Sequence, residues 1–275
     1  MRVRRRCLPP GWYPGAAEQT LAAIEQMERS IVPGAATGIA AVVPHAGWEY
    51  SGSLSLEVLS RIARGMDTIV IIGGHLGPAD GILCAFEDAY DTPLGPVPAD
   101  RELLDTLREA LPVHEDRYAD NTVEIQLPFV RHLFPQCKAL GMRASPSRDA
   151  ERLGKALAQA GRALGRRLAV AGSTDLTHYG PNYGFAPAGN GEEALAWVRE
   201  VNDRRFIECL LALDFEAALE RSLRDRSACS AGGALAAMSF ARESGALKGE
   251  LVRYMTSYEV HPSESFVGYA GIIYS

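Results

Sequence analysis

The sequence predicts a single α/β domain with a mostly parallel central sheet flanked by helices on both faces. Three observations carry that prediction. Short apolar runs end abruptly in polar or glycine-rich stops: GIAAVVPHAG at 38–47, DTIVIIGGH at 67–75 and RLAVAGSTD at 167–175. A run with no polar alternation is what a strand buried on both faces requires. Helical patterns fall between these runs, and strand–helix–strand alternation implies parallel pairing with crossover helices. No linker, repeat or low-complexity segment divides the 275 residues, a length that one α/β domain accommodates.

The elements follow in order. Residues 1–10, MRVRRRCLPP, read as a flexible basic tail with no apolar stretch behind the arginines, and hence no secretory signal. After the strand at 38–43, Leu54–Ala63 reads as helix. The second strand stops at Gly73-Gly74, and Gly81–Phe86 is a third strand or an edge. Asp100–Ala110 is a helix with Asp100 as its N-cap. Asn121–Leu133 is helical but broken or kinked at Pro128. Ala139–Arg143 is a short strand and Asp149–Leu164 a helix. Pro181–Gly191, rich in Gly, Pro, Asn and Ala, reads as a long loop beside a site. Helical stretches at 192–212, 214–223 and Ala231–Arg242 follow. Gly249–Tyr258 and Phe266–Tyr274 are strands close enough in sequence to add an antiparallel edge.

Composition narrows the function classes. Hydrophobic residues make up 47% and charged residues 23%, the balance of a soluble globular chain. No apolar run reaches the roughly 18–20 residues of a membrane helix, so no membrane partner is expected and the location expected is cytoplasmic. The net charge of -6 opposes nucleic acid as the main partner, because phosphate contacts need a basic face. Five widely spaced cysteines without a CxxC exclude a disulfide framework and a four-cysteine zinc site. Most read as plain buried thiols.

Three polar signatures share one location, the carboxyl end of a buried strand: Pro44-His45-Ala46-Gly47-Trp48, Gly73-Gly74-His75, and Ser173 to His178. Ligands of open α/β sheets bind in the crevice outside those ends, so residues distant in sequence converge there. His45 and His75 are metal-ligand candidates, neutral imidazole being the commonest ligand; each can also be a loop histidine that caps a helix. The glycines before His75 indicate close backbone approach or a positive φ. Asp175 and His178, three apart, share a face on a helical turn. They can ligate a metal, or Asp175 can orient His178 as a general acid/base; a capping Asp175 with an incidental His178 is the structural alternative. Cys229 precedes a helix, a position that favours thiolate, although a small buried residue at a tight turn has the same sequence. His114, His132 and His261 look unremarkable, with His132 packed among Phe129 and Phe134. Glu115, Asp116, Asp120 and Glu124 read as a solvated acidic face.

These motifs, in this order, resemble the Memo family, whose bacterial members are called AmmeMemoRadiSam system protein B. Gly11-Trp12-Tyr13-Pro14 resembles the family's "SWYP" signature. Pro44 to Gly52 resembles "PHAGY-x-YSG", and Ile71 to His75 a shortened "ILGPSH" without its Pro-Ser. Asp91 to Gly95 resembles "TPLG", Asp120 to Phe129 resembles "EHSLEVQLPF", and Ser173 to Tyr179 resembles "SSDLSHY". Cys229 stands at the family's "CG" cysteine, here followed by Ser230.

The resemblance implies a fold similar to class III extradiol dioxygenases. It implies a transition-metal cofactor, iron or copper favoured and zinc possible, held by His45, His75 and Cys229. His178 and Asp175 would be the adjoining catalytic pair. Asn121, Glu124, Trp48, Tyr50 and Tyr179 would bind substrate or support the ligands. Asn121 replaces the family's histidine and cannot shuttle a proton, so positioning is the role left to it. The function implied is a dioxygenase-like oxidoreductase acting on a small organic substrate. The alternative is a non-catalytic protein that recognises a peptide in the same pocket, or works with an AMMECR-like protein and a radical SAM enzyme. A zinc hydrolase is a weaker third reading.

Overall fold

The apolar runs form the middle of a nine-stranded sheet in a computed structural model describing residues 1–275. The strands are β1 (Val3–Arg4), β2 (Ala40–Val43), β3 (Thr68–Gly73), β4 (Ile82–Cys84), β5 (Ala89–Tyr90), β6 (Val97–Pro98), β7 (Val113–Glu115), β8 (Lys138–Ala144), β9 (Leu168–Ser173), β10 (His178–Tyr179), β11 (Gly249–Thr256) and β12 (Phe266–Tyr274). The helices are α1 (Ala17–Glu28), α2 (Ser53–Ser60), α3 (Arg101–Ala110), α4 (Asn121–Glu124), α5 (Leu127–Leu133), α6 (Arg148–Ala163), α7 (Gly191–Trp197), α8 (Asp203–Leu211), α9 (Phe215–Arg224) and α10 (Ala231–Glu243).

Across the sheet the order is β10-β12-β2-β9-β3-β8-β4-β7, with β11 also paired to β12. Strands β2, β9, β3 and β8 run parallel. Strand β12 lies antiparallel beside β2, and β4 antiparallel beside β8. Strands β1, β5 and β6 form a small separate sheet.

Side chains alternate strictly between two cores. Val42, Val70, Ile72 and Val170 join one face with Leu157 of α6 and Leu235 of α10. Ala41, Ile69, Ile71 and Ala171 join the other with Leu54 of α2 and Phe129 of α5. Both faces are covered, which is why these strands carry no polar alternate positions. Asp100 caps α3 by accepting from the Leu103 amide. No helix is long and apolar enough to cross a membrane.

Several elements differ from expectation. The segment 1–10, expected as a flexible tail, is docked: β1 pairs with β5, and the Arg4 guanidinium donates to the carbonyls of Asp116 and Tyr118, both at 2.7 Å. Arg2, Arg4 and Arg6 engage backbone carbonyls and carboxylates of the fold, which composition alone does not reveal. The helix at 121–133 breaks at Ile125-Gln126 instead of at Pro128. Pro128 sits in the first turn of α5, where its missing N–H is harmless. The stretch 192–212 is continuous but takes a wide π-turn at Val198–Asn202. Strand β12 does not simply cap an edge: it pairs with β2, β10 and β11.

Candidate metal centre

Strands β2, β9 and β3 are adjacent and end nearly flush, with Val43 opposite Ser173 and Ile72 opposite Gly172. His45, Asp175 and His75 each lie two residues beyond one of these ends, so one crevice receives all three.

His45 is 2% exposed and heavily tethered. Its backbone amide donates to Asp175 Oδ1 at 2.7 Å. Its Nδ1 lies 3.3 Å from Ser173 Oγ and its Nε2 3.2 Å from Cys229 Sγ. The carbonyl of His45 accepts from Asn121 Nδ2 at 3.0 Å, and that of Pro44 from Gln126 Nε2 at 2.7 Å. Burial pushes the His45 pKa down against the opposing charge of Asp175, so the ring stays neutral with a lone pair available.

His75 is exposed, and its φ of 56° places a non-glycine residue in the left-handed region, a conformation costing roughly 1 kcal/mol. Its Nδ1 stands 3.0 Å from Asp120 Oδ2. The preceding glycines supply close approach: a Cβ at Gly73 would overlap the Thr122 side chain, and one at Gly74 the Ser230 hydroxyl. The positive φ that glycine would tolerate falls on the histidine itself.

Cys229 reaches the crevice because α10 starts against the strand tops. A Cβ at Gly232 would strike the Ala144 carbonyl, and one at Gly233 the Ile72 carbonyl. The Cys229 amide donates to the Asp175 carbonyl at 3.2 Å. The expected lowering of the thiol pKa by the helix start is overturned: burial pushes it well above its ordinary value, and the Asp175 charge adds to the rise. Desolvation here outweighs the helix dipole, so an arriving ion would have to displace the thiol proton.

Asp175 and His178 do not sit on a helical turn. Residues 174–177 form no helix and lead directly into β10. Asp175 holds the His45 amide rather than His178, whose Nδ1 donates to the Leu176 carbonyl at 3.1 Å. Thr177 is fixed from behind by Asp203, which accepts from its amide at 3.1 Å. Ligand atoms of His45, His75 and Cys229 lie within 4.8 Å of one another, and so do those of Asp175, His178 and Cys229. Cys229 is common to both triads.

The cleft above them encloses about 660 Å³ and contains Asn121 and Tyr50 among its walls. Three expected contributors lie elsewhere. Trp48 is buried, stacked on Phe129 at 4.2 Å, with its indole N–H on the Ile125 carbonyl. Tyr179 is buried and its hydroxyl ties down Ala188 and Gly189. Glu124 is buried and accepts from the amides of Cys7 and Leu8 and from the Tyr13 hydroxyl.

The acidic face expected at 115–124 is in large part turned inward. Asp116 forms a two-pronged pair with buried Arg143 at 2.8 and 2.7 Å, and Asp120 faces His75. His132, expected as packed, is partly exposed and paired with Glu28 at 2.9 Å. Sequence reasoning missed Trp12, Tyr183, His261 and Tyr269 as cleft residues. His261 in HPSES was visible as a histidine, but nothing local tells that β12 folds it back over β2.

A family model described as "Memo-like protein" matches residues 4–273. The chain belongs to the Memo family. It is 31% identical to a MEMO1 family protein of Thermococcus onnurineus over 99% of both chains. It is 34% identical to one of Methanococcoides burtonii over 86% of each. A crystal structure of an uncharacterized Escherichia coli K12 protein superposes with a TM-score of 0.51 at 12% identity, covering 86% of this chain and 99% of that one. The two share a mixed α/β fold, and in this chain it is the architecture of one central sheet, with parallel middle strands and helices on both faces, that the sequence predicted.

Proposed function

We propose that this Memo-family protein holds a transition metal ion through His45, His75 and Cys229 and acts on a small organic substrate in the cleft. The observation supporting this most directly is the convergence of three ligand atoms within 4.8 Å. Donors at about 2.0–2.3 Å from one ion stand no more than about 4.6 Å apart. The 3.2 Å separation of His45 Nε2 and Cys229 Sγ meets that limit, and the third donor needs at most a few tenths of an ångström. Thiolate with imidazole suits iron, copper or zinc, and disfavours magnesium or calcium. When bound, such an ion supplies Lewis-acid or redox chemistry.

The chain's own groups fit the remaining tasks. His178 donates from Nδ1 to the Leu176 carbonyl, which leaves Nε2 free to exchange a proton with a molecule in the cleft. Asp175 fixes the His45 backbone, and Asn121 fixes its carbonyl while facing the cleft. The cleft walls include no Lys or Arg, so the two-pronged clamp that a phosphorylated peptide favours is missing. That weighs for a neutral or weakly charged substrate over the peptide-binding alternative.

Metal analysis of protein purified without chelator tests the reading. Stoichiometric iron, copper or zinc is expected, and Cys229→Ser is expected to weaken binding by more than about 100-fold while Cys84→Ser leaves it unchanged. Equal losses in both variants, or no uptake of any of the three metals, would sink it.

A further inference from the structure

We propose that Asp120 is the positioning residue of His75. It holds the ring in its outward, left-handed setting with the proton on Nδ1, so that Nε2 is the nitrogen presented to the cleft. The inference rests on the metal reading above for its purpose, but its geometry stands apart from it.

Four observations carry it. First, the anchoring of the two histidines is unequal. The His45 side chain is 2% exposed, and the His75 side chain is 36% exposed with Asp120 as its one side-chain hydrogen-bond partner. Second, His75 occupies a left-handed φ of 56°, and a strained setting persists only where the surroundings determine it. Third, Asp120 is itself locked. Oδ1 accepts from the Thr122 amide at 2.9 Å, which leaves Oδ2 for His75 at 3.0 Å. Fourth, buried Arg143 stands behind this carboxylate, 3.6 Å from Oδ2, and also donates to the carbonyl of Gly74 at 3.3 Å. Arg143 therefore grips both the anchor and the residue before the histidine.

The proton's place follows from the partner. Asp120 Oδ1 accepts from both the amide and the hydroxyl of Thr122, and the Arg143 guanidinium stands 3.6 Å from Oδ2, so the carboxylate is surrounded by donors. An ionised carboxylate only accepts, so Nδ1 of His75 is the donor. A carboxylate behind an imidazole also fixes ring orientation and raises ligand basicity. Asn121 and Gln126 hold the carbonyls of the other histidine loop. The short segment 120–126 therefore ties both loops.

The test is Asp120→Asn. With Oδ1 kept on the Thr122 amide, the new NH2 group faces Nδ1 and can only donate, which drives the proton to Nε2. Nitrogen-15 NMR of the His75 ring in metal-free protein, at a pH where the ring is neutral, is expected to show Nδ1–H in the wild type and Nε2–H in D120N. Asp120→Glu keeps a carboxylate and is expected to keep Nδ1–H. Co²⁺ titration, followed by the thiolate charge-transfer band, is expected to show about 10- to 100-fold weaker binding in D120N. His132→Gln, at an exposed pair with Glu28 away from the cleft, should leave both readouts unchanged. Nε2–H in the wild type overturns the proposal, even if D120N fails to fold; so does a D120N that keeps Nδ1–H and wild-type affinity. Failure of the wild type to bind Co²⁺ would count against the metal reading alone, leaving the NMR result to decide the role of Asp120.

Discussion

The two histidine loops leave neighbouring parallel strands, yet they are built by different means. His45 is sealed in: its backbone is claimed by Asp175 and Asn121, its ring lies between Ser173 and Cys229, and Gln126 holds the carbonyl before it. His75 stands in solvent on a left-handed backbone, tied through one carboxylate. A buried ligand takes its position from the fold, whereas an exposed one must be given its position by a dedicated partner. The difference predicts which half of the site is bound up with stability and which can change without disturbing the core.

The largest expected effect lies on the sealed side. Asp203 is buried behind Thr177, and burial raises its pKa to about 6 against the hydrogen bonds from Thr177 and Tyr254. The unfolded value is about 3.9. The folded state therefore holds this proton more tightly, and the stabilisation is complete below about pH 4 and is lost as pH rises through about 6. The swing is on the order of 3 kcal/mol. Urea unfolding of wild type and Asp203→Asn between pH 4 and 7 should show a gap widening in favour of the variant as pH rises. A constant gap would remove Asp203 from the support of this loop.

Next in size is the direct contrast between the histidines. His45→Ala leaves buried Ser173 and half-buried Cys229 without their contacts and is expected to destabilise the fold by about 1–3 kcal/mol. His75→Ala is expected to stay within about 0.5 kcal/mol. Matched denaturant melts check this, and equal losses would erase the distinction. The smallest effect sharpens it: His75→Gly relieves the left-handed strain and should stabilise the chain by up to about 1 kcal/mol. A loss on that substitution would mean that contacts of the ring outweigh the strain.

Much of the site was legible because strand ends are legible. The apolar runs stop where β2, β3 and β9 stop, and that places His45, His75 and Asp175 together without knowledge of any contact. Cys229 was legible through the small residues after it, which let α10 press on the strand tops. Asp120 was hidden in an acidic run that looks solvated, because Arg143 lies on β8, remote in sequence. His261 and Trp12 were hidden for a related reason: an antiparallel last strand and a docked first segment deliver them, and neither leaves a local pattern. The helical-turn reading of Asp175 and His178 failed because spacing alone does not separate a helical turn from an irregular segment held by Asp203.

The walls of the cleft come from both ends of the chain, and this imposes an order in time on its making. Trp12 leaves the ribosome early, the last proposed metal ligand at Cys229, and Tyr269 of the far wall 40 positions later. At about 5–20 residues per second, Tyr269 is synthesised roughly 2–8 seconds after Cys229, so the far wall is the last part of the cleft to be made. The covering of the cleft therefore waits on β12, which pairs beside β2 only when the rest of the chain has been made.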